Sequence, residues 1–112
     1  MGSFVKQHCI TTDTETTHCI ATLPSYKEGT FDLHIINIAT NPVKITLWTT
    51  SNNSADIDLS GIWEADTEMK TGDNLLYSGK PFAGGQSLYI KILPLVIDET
   101  STLSIQFTGH IY

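Results

Sequence analysis

The chain has 112 residues, enough for one domain that buries roughly two-thirds of the surface its unfolded form exposes. With 6 Lys plus Arg against 12 Asp plus Glu, its net charge of -6 opposes binding that works by neutralising phosphates along a duplex, so no nucleic-acid partner is expected. Met1 to Lys6 lack the apolar run of a secretory signal, and no stretch of about 18 apolar residues reads as a membrane span; neither a membrane partner nor export by the general route is expected.

Two β-rich runs open the chain, about Phe4 to Thr12 and Thr16 to Leu23, joined by Asp13-Thr14-Glu15. They carry a repeated tripeptide, His8-Cys9-Ile10 and His18-Cys19-Ile20, on what read as adjacent strands. Two His and two Cys are a zinc-ligand set. Neighbouring side chains on a strand point to opposite faces, however, so His8 and Cys9 cannot easily share one ion, and no metal is expected. A cross-strand disulfide between Cys9 and Cys19 is a second reading; buried thiols that pack as small hydrophobes are the expectation. Two cysteines are too few for a disulfide scaffold of the secreted kind.

Next, Phe31, Leu33 and Ile35 alternate with Asp32 and His34, and Val43, Ile45 and Leu47 alternate with Lys44 and Thr46. This period of two marks strands with one buried face, and Thr40-Asn41-Pro42 between them predicts a tight antiparallel turn. Trp48 falls on the face opposite Val43, Ile45 and Leu47, which implies that both faces of that strand are covered. Ser51 to Ser60 read as an exposed loop, followed by short extended pieces around Gly61 to Glu64 and Asn74 to Tyr77. Asn52-Asn53-Ser54 matches a glycosylation acceptor, which is irrelevant without secretion. Asp56, Asp58, Glu64, Asp66, Glu68 and Asp73 lack the ordered spacing of a calcium loop and read as a solvated acidic stretch.

Ser78 to Gln86, with Pro81 between Gly79 and Gly84-Gly85, predict a sharp turn; Pro81 and the wrong glycine spacing exclude a phosphate loop. A second predicted hairpin ends the chain: Leu88, Ile90 and Ile92 on one strand, then Asp98 to Ser101 as the turn, then Leu103, Ile105 and Phe107 on a strand that continues to Tyr112. About seven to eight short strands predict an all-β fold, a single antiparallel β-sandwich or jelly roll spanning 1–112.

No catalytic residue is assigned: His34 and His110 stand alone in their strands, and no serine sits in a Gly-x-Ser-x-Gly turn, so neither an enzyme nor a cofactor is expected. Trp48, Trp63, Tyr77 and Tyr89 would suit an aromatic platform for sugar rings, with core or subunit-interface packing as the expected role.

The order of pieces carries a resemblance: Ser3-Phe4-Val5-Lys6-Gln7-His8, then Leu33-His34-Ile35-Ile36-Asn37 and Thr40-Asn41-Pro42-Val43, then Leu76-Tyr77-Ser78-Gly79 leading to Ala83-Gly84-Gly85-Gln86-Ser87-Leu88-Tyr89-Ile90, and Leu103-Ser104-Ile105-Gln106-Phe107-Thr108-Gly109-His110 at the end. In this layout, which runs along nearly the whole chain, it resembles the small virion-associated β-sandwich proteins of tailed bacteriophages. The middle, Gly61 to Asp73, departs from the pattern by its acidic residues.

The resemblance implies a non-enzymatic structural role in the virion, assembled in the host cytoplasm: capsid decoration, or a place at the neck or tail. The implied partners are the major capsid or tail protein and further copies of the chain, as a cyclic homotrimer. Trp48, Trp63, Phe82 and Tyr89 are the candidate partner-binding residues. A carbohydrate-binding module for host-surface recognition is the alternative.

Overall fold

The computed structural model describes residues 2–25, 27–51, 57 and 61–112. Eight strands follow in chain order: β1 (Gly2–Thr12), β2 (Thr16–Thr22), β3 (Glu28–Asn37), β4 (Val43–Thr50), β5 (Ile62–Met69), β6 (Asn74–Ala83), β7 (Ser87–Pro94) and β8 (Ser101–Ile111). They form two four-stranded antiparallel sheets, ordered β1-β8-β3-β6 and β2-β7-β4-β5. The pairs β1 with β8, β2 with β7, β3 with β6 and β4 with β5 are those of one long hairpin folded at its middle. Wrapping that hairpin adds the contacts of β3 with β8 and β4 with β7, which gives the jelly-roll form of the β-sandwich.

Alternation decides which side chains enter the space between the sheets. On β3, Gly29, Phe31, Leu33, Ile35 and Asn37 are buried and every second residue is not; β8 repeats this with Ser101, Leu103, Ile105, Phe107 and Gly109. Phe107 lies at the centre of an aromatic cluster, its ring 5.5 Å from Phe31, 5.6 Å from Phe4 and 5.8 Å from Phe82. From the other sheet, Val43, Ile45, Leu47, Leu88, Ile90 and Ile92 complete the core.

The connections differ from the sequence expectations. The links 38–42 and 95–100 are not hairpin turns but arches, because β3 and β8 lie in one sheet while β4 and β7 lie in the other. Alternation reports which face a residue takes, not which strand pairs with it; the arches need only cross the roughly 10 Å between layers. Residues 78–83 also differ, since β6 continues through Gly79, Lys80 and Pro81 and turns only after Ala83. Proline is tolerated there because β6 is an edge strand.

The repeated tripeptide proves to lie on the two edge strands β1 and β2, one in each sheet. His8 pairs in register with buried Ile105 and His18 with buried Ile90, so both imidazoles turn toward the seam between the sheets. His8 Nε2 donates to the Ile20 carbonyl at 2.9 Å and ties the two edges. Cys9 pairs with Ser104 and Cys19 with Tyr89, on the outer faces of opposite sheets. Both cysteines are therefore exposed, free thiols rather than buried ones, and they face away from each other. Among the described residues no group of three or more His, Cys, Asp or Glu is arranged to hold a metal.

Candidate functional site

The four candidate partner-binding residues do not share a surface. Phe82 is 2% exposed and belongs to the core, against Phe31 and Phe107. Trp63 is half-buried and also turns inward, meeting Phe31 edge-on at 5.7 Å and Tyr77 at 5.9 Å. Trp48 does occupy the outer face of β4, as its place in the alternation requires, but is fully buried. Its indole stacks on half-buried Tyr89 of β7 at 5.7 Å, and its Nε1 has no hydrogen-bond partner among the described residues. Phe82 and Trp48 are thus not available as surface anchors, and the four-membered platform of Trp48, Trp63, Tyr77 and Tyr89 is not formed. Asn52-Asn53-Ser54, Asp56 and Asp58 lie outside the described residues.

The polar constellation lies instead on the outer face of β1-β8-β3-β6. Since Phe31, Leu33 and Ile35 point inward, Asp32 and His34 point outward; on β8 the same parity turns Gln106, Thr108 and His110 outward. Register then sets Thr108 beside Asp32 and Gln106 beside His34, while His34 has Leu76 of β6 on its other side. A bulge shapes the site. Between Phe31 and Leu33 the partner strand advances from Lys80 to Tyr77, one residue more than β3, with Gly79 at φ 63°. The extra residue aims the Gly79 N–H at Asp32 Oδ1, 2.8 Å away.

Asp32 Oδ2 accepts from His110 Nε2 at 3.1 Å, and His34 Nε2 donates to Asn74 Oδ1 at 2.7 Å. Both partners are acceptors, which places the proton of each ring on Nε2. The Gly79 N–H, with a smaller contribution from His110, holds the Asp32 carboxyl below its ordinary value. Asp32, Leu33, His34, Leu76, Tyr77, Ser78, Gln106 and Thr108 line a shallow depression of about 370 Å³. The isolated histidines of the sequence thus share one outer face, four residue levels apart, each with its own acceptor, Asn74 for His34 and Asp32 for His110. The spacing that signals them, Asp32 with His34 and Thr108 with His110 at i, i+2, becomes informative only once β3 and β8 are known to pair.

A second polar contact joins the sheets at their β5 and β6 edges. The Tyr77 hydroxyl donates to Glu64 Oε1 at 2.5 Å, and Glu64 Oε2 accepts from Thr67 at 2.7 Å. Burial first, then the adjacent carboxylate, pushes the Tyr77 phenol well above its ordinary value. On the opposite sheet, burial and the neighbouring Cys19 thiol raise Tyr89.

No family model, curated protein or solved structure matches this chain. The site's own chemistry therefore carries its reading. The face combines a fixed carboxylate, an amide, hydroxyls and two imidazoles, and its exposed large apolar residues, Val5 and Leu76, stand on strands at opposite edges of the sheet. Apolar exposure gathers at one end of the sandwich, where Ile38 is 54% and Ile97 88% exposed. The two arches that carry them are fastened side by side by Asn41 Nδ2 to the Thr100 carbonyl and by Leu95 N–H to the Pro42 carbonyl.

Proposed function

We propose that this chain is a non-enzymatic structural protein of a tailed-bacteriophage virion, a capsid decoration protein that binds the particle as a cyclic homotrimer, with a neck or tail position as the alternative. The observation that carries the reading is the jelly-roll sandwich with one long unblocked edge. Jelly rolls serve viral capsid and lectin domains among other roles, so the fold alone supports a class of functions, and the layout along the sequence narrows it.

Sheet edges attract other strands unless bulges or charges blunt them. Of the four edge strands, β2, β5 and β6 carry bulges, whereas β1 keeps an unbroken register with β8 over eleven residues and bears one charge, Lys6. An edge of this kind suits contact with a different surface on the next copy, which closes into a ring. The apolar end with Ile38, Val96 and Ile97 supplies anchors for the capsid or tail protein in place of Trp48 and Phe82. A non-enzymatic role is supported by the openness of the polar face: the Asp32 and His110 side chains are 45% and 43% exposed, unlike the desolvated pairs of acid–base catalysis.

The test combines sedimentation with particle binding. The purified chain is expected to sediment as a trimer and to co-sediment with phage particles that lack it. A monomer at high concentration that leaves such particles bare would remove the reading.

A further inference from the structure

We propose that the outer face of the β1-β8-β3-β6 sheet carries a binding site for a neutral saccharide, centred on Asp32, Gln106 and Thr108, with Leu76 as its apolar wall. The inference goes beyond the virion role and does not depend on self-association.

The groups that hydrogen-bond to a polyol must be numerous, of both polarities and fixed in place, because each hydroxyl both donates and accepts. Asp32 meets the last condition. With Gly79 N–H on one oxygen, His110 on the other and the Ser78 hydroxyl as a third partner, its carboxylate cannot rotate, yet of about four lone-pair directions one is left for a ligand hydroxyl. Thr108 and Gln106, set beside Asp32 and His34 by the register of β3 and β8, add a hydroxyl and an amide that both donate and accept. Ser78 adds another hydroxyl from the bulge of β6.

Sugar rings also present C–H faces. Leu76, 67% exposed and in register with His34, offers apolar surface at the edge of the same depression. The volume of about 370 Å³ falls in the lower part of the range for small-ligand sites, about 300–1,000 Å³.

Charge selects among sugars. Asp32 and the net charge of -6 repel uronate, sialate and phosphorylated ligands, which leaves neutral hexoses and N-acetylhexosamines. A protein partner fits this face less well: Val5 and Leu76 lie on β1 and β6, the two edges of the sheet, so they form no contiguous apolar patch that would bury an anchor residue.

The experiment is amide-resolved NMR titration of the intact chain with neutral hexoses and N-acetylhexosamines at millimolar concentration, followed by a glycan array. Saturable shifts are expected at Asp32, Gly79, Gln106 and Thr108. Asp32→Asn and Gln106→Ala should each weaken binding at least tenfold, while Lys91→Ala on the other sheet leaves it unchanged. Asp32 also braces the bulge, so Gln106→Ala, at an exposed residue with no such duty, is the variant that decides. Silence across sugars and array, shifts confined to another face, or full affinity in Gln106→Ala would overturn the proposal. So would shifts on this face that follow protein concentration without sugar, since they would assign it to a second copy. Particle binding is measured separately, so failure of the virion role would not be mistaken for failure of this site.

Discussion

Asp32 is held by a backbone N–H from a bulge and by an imidazole, so its ionised form is stabilised in the folded chain and not in the unfolded one. A carboxyl with a lowered folded value contributes stability above its ordinary value, 3.8, and loses it as pH falls through the folded value. With the side chain 45% exposed, solvent screening keeps the contribution below about 1 kcal/mol. Asp32→Asn should therefore melt slightly lower than the wild type at pH 7, and the difference should vanish in scans run below the folded value. A difference that persisted unchanged at the acid end would mean that the side chain acts by shape and not by charge. Tyr77 sets the opposite case, a half-buried hydroxyl whose proton is kept by desolvation and by Glu64. Tyr77→Phe removes a hydrogen bond to a carboxylate and leaves Glu64 with Thr67; a loss of about 1.5–3 kcal/mol in denaturant unfolding is expected. At this scale the sequence was least informative. Alternation turned Asp32 and His110 outward, but their meeting depends on a pairing across more than seventy residues, and the Gly79 N–H reaches Asp32 only through one inserted residue in β6.

Strands were far more legible than the links between them. The outward and inward residues of β3, β7 and β8 could be read off as period two, because burial of one face is a local pattern, whereas β4 is buried on both faces from Ile45 to Thr50. The two apparent hairpins proved to be arches, since a link of five or six residues rich in turn formers serves either geometry and only the packing of β8 against β3 selects the arch. Asn37 shows what fixes that choice. Fully buried at the end of β3, it donates through Nδ2 to the carbonyls of Asn41 and Met69 at 2.9 Å, and its Oδ1 accepts from Ala39 N–H at 3.0 Å. One amide thus satisfies the start of the arch, its far side and the end of β5. Asn37→Leu keeps the bulk but strands the Met69 carbonyl in a dry site, at about 1–3 kcal/mol for that group, and deprives the half-buried Ala39 N–H of its acceptor. The expected signature is a lower denaturant midpoint together with faster amide exchange across residues 38–42. Equal exchange in the two proteins would show that the arch stands without the clamp.

At the scale of the whole molecule, β1 is the long edge strand without a bulge, so the proposed self-association is a property of that strand and not of the surface at large. A charge set on that edge should therefore act on assembly and leave the fold alone. Val5 is 55% exposed and points away from the core, level with Thr108 on β8; Cys9 is likewise exposed, level with Ser104. Val5→Lys with Cys9→Lys would place two ammonium groups on a strand that has only Lys6, and a neighbouring copy would have to desolvate them to pair there. Because neither side chain contributes to the core, the melting temperature of the dissociated chain should stay within the range of ordinary surface substitutions, about 0.5 kcal/mol. Sedimentation is expected to shift from the oligomer to the monomer, and the same two lysines on β6, at Leu76 and Ser78, should leave the oligomer intact. If the β1 variant kept its assembly while the β6 variant lost it, the contact between copies would belong to the other edge of the sheet, and the ring would have to be rebuilt around the bulge that holds Asp32.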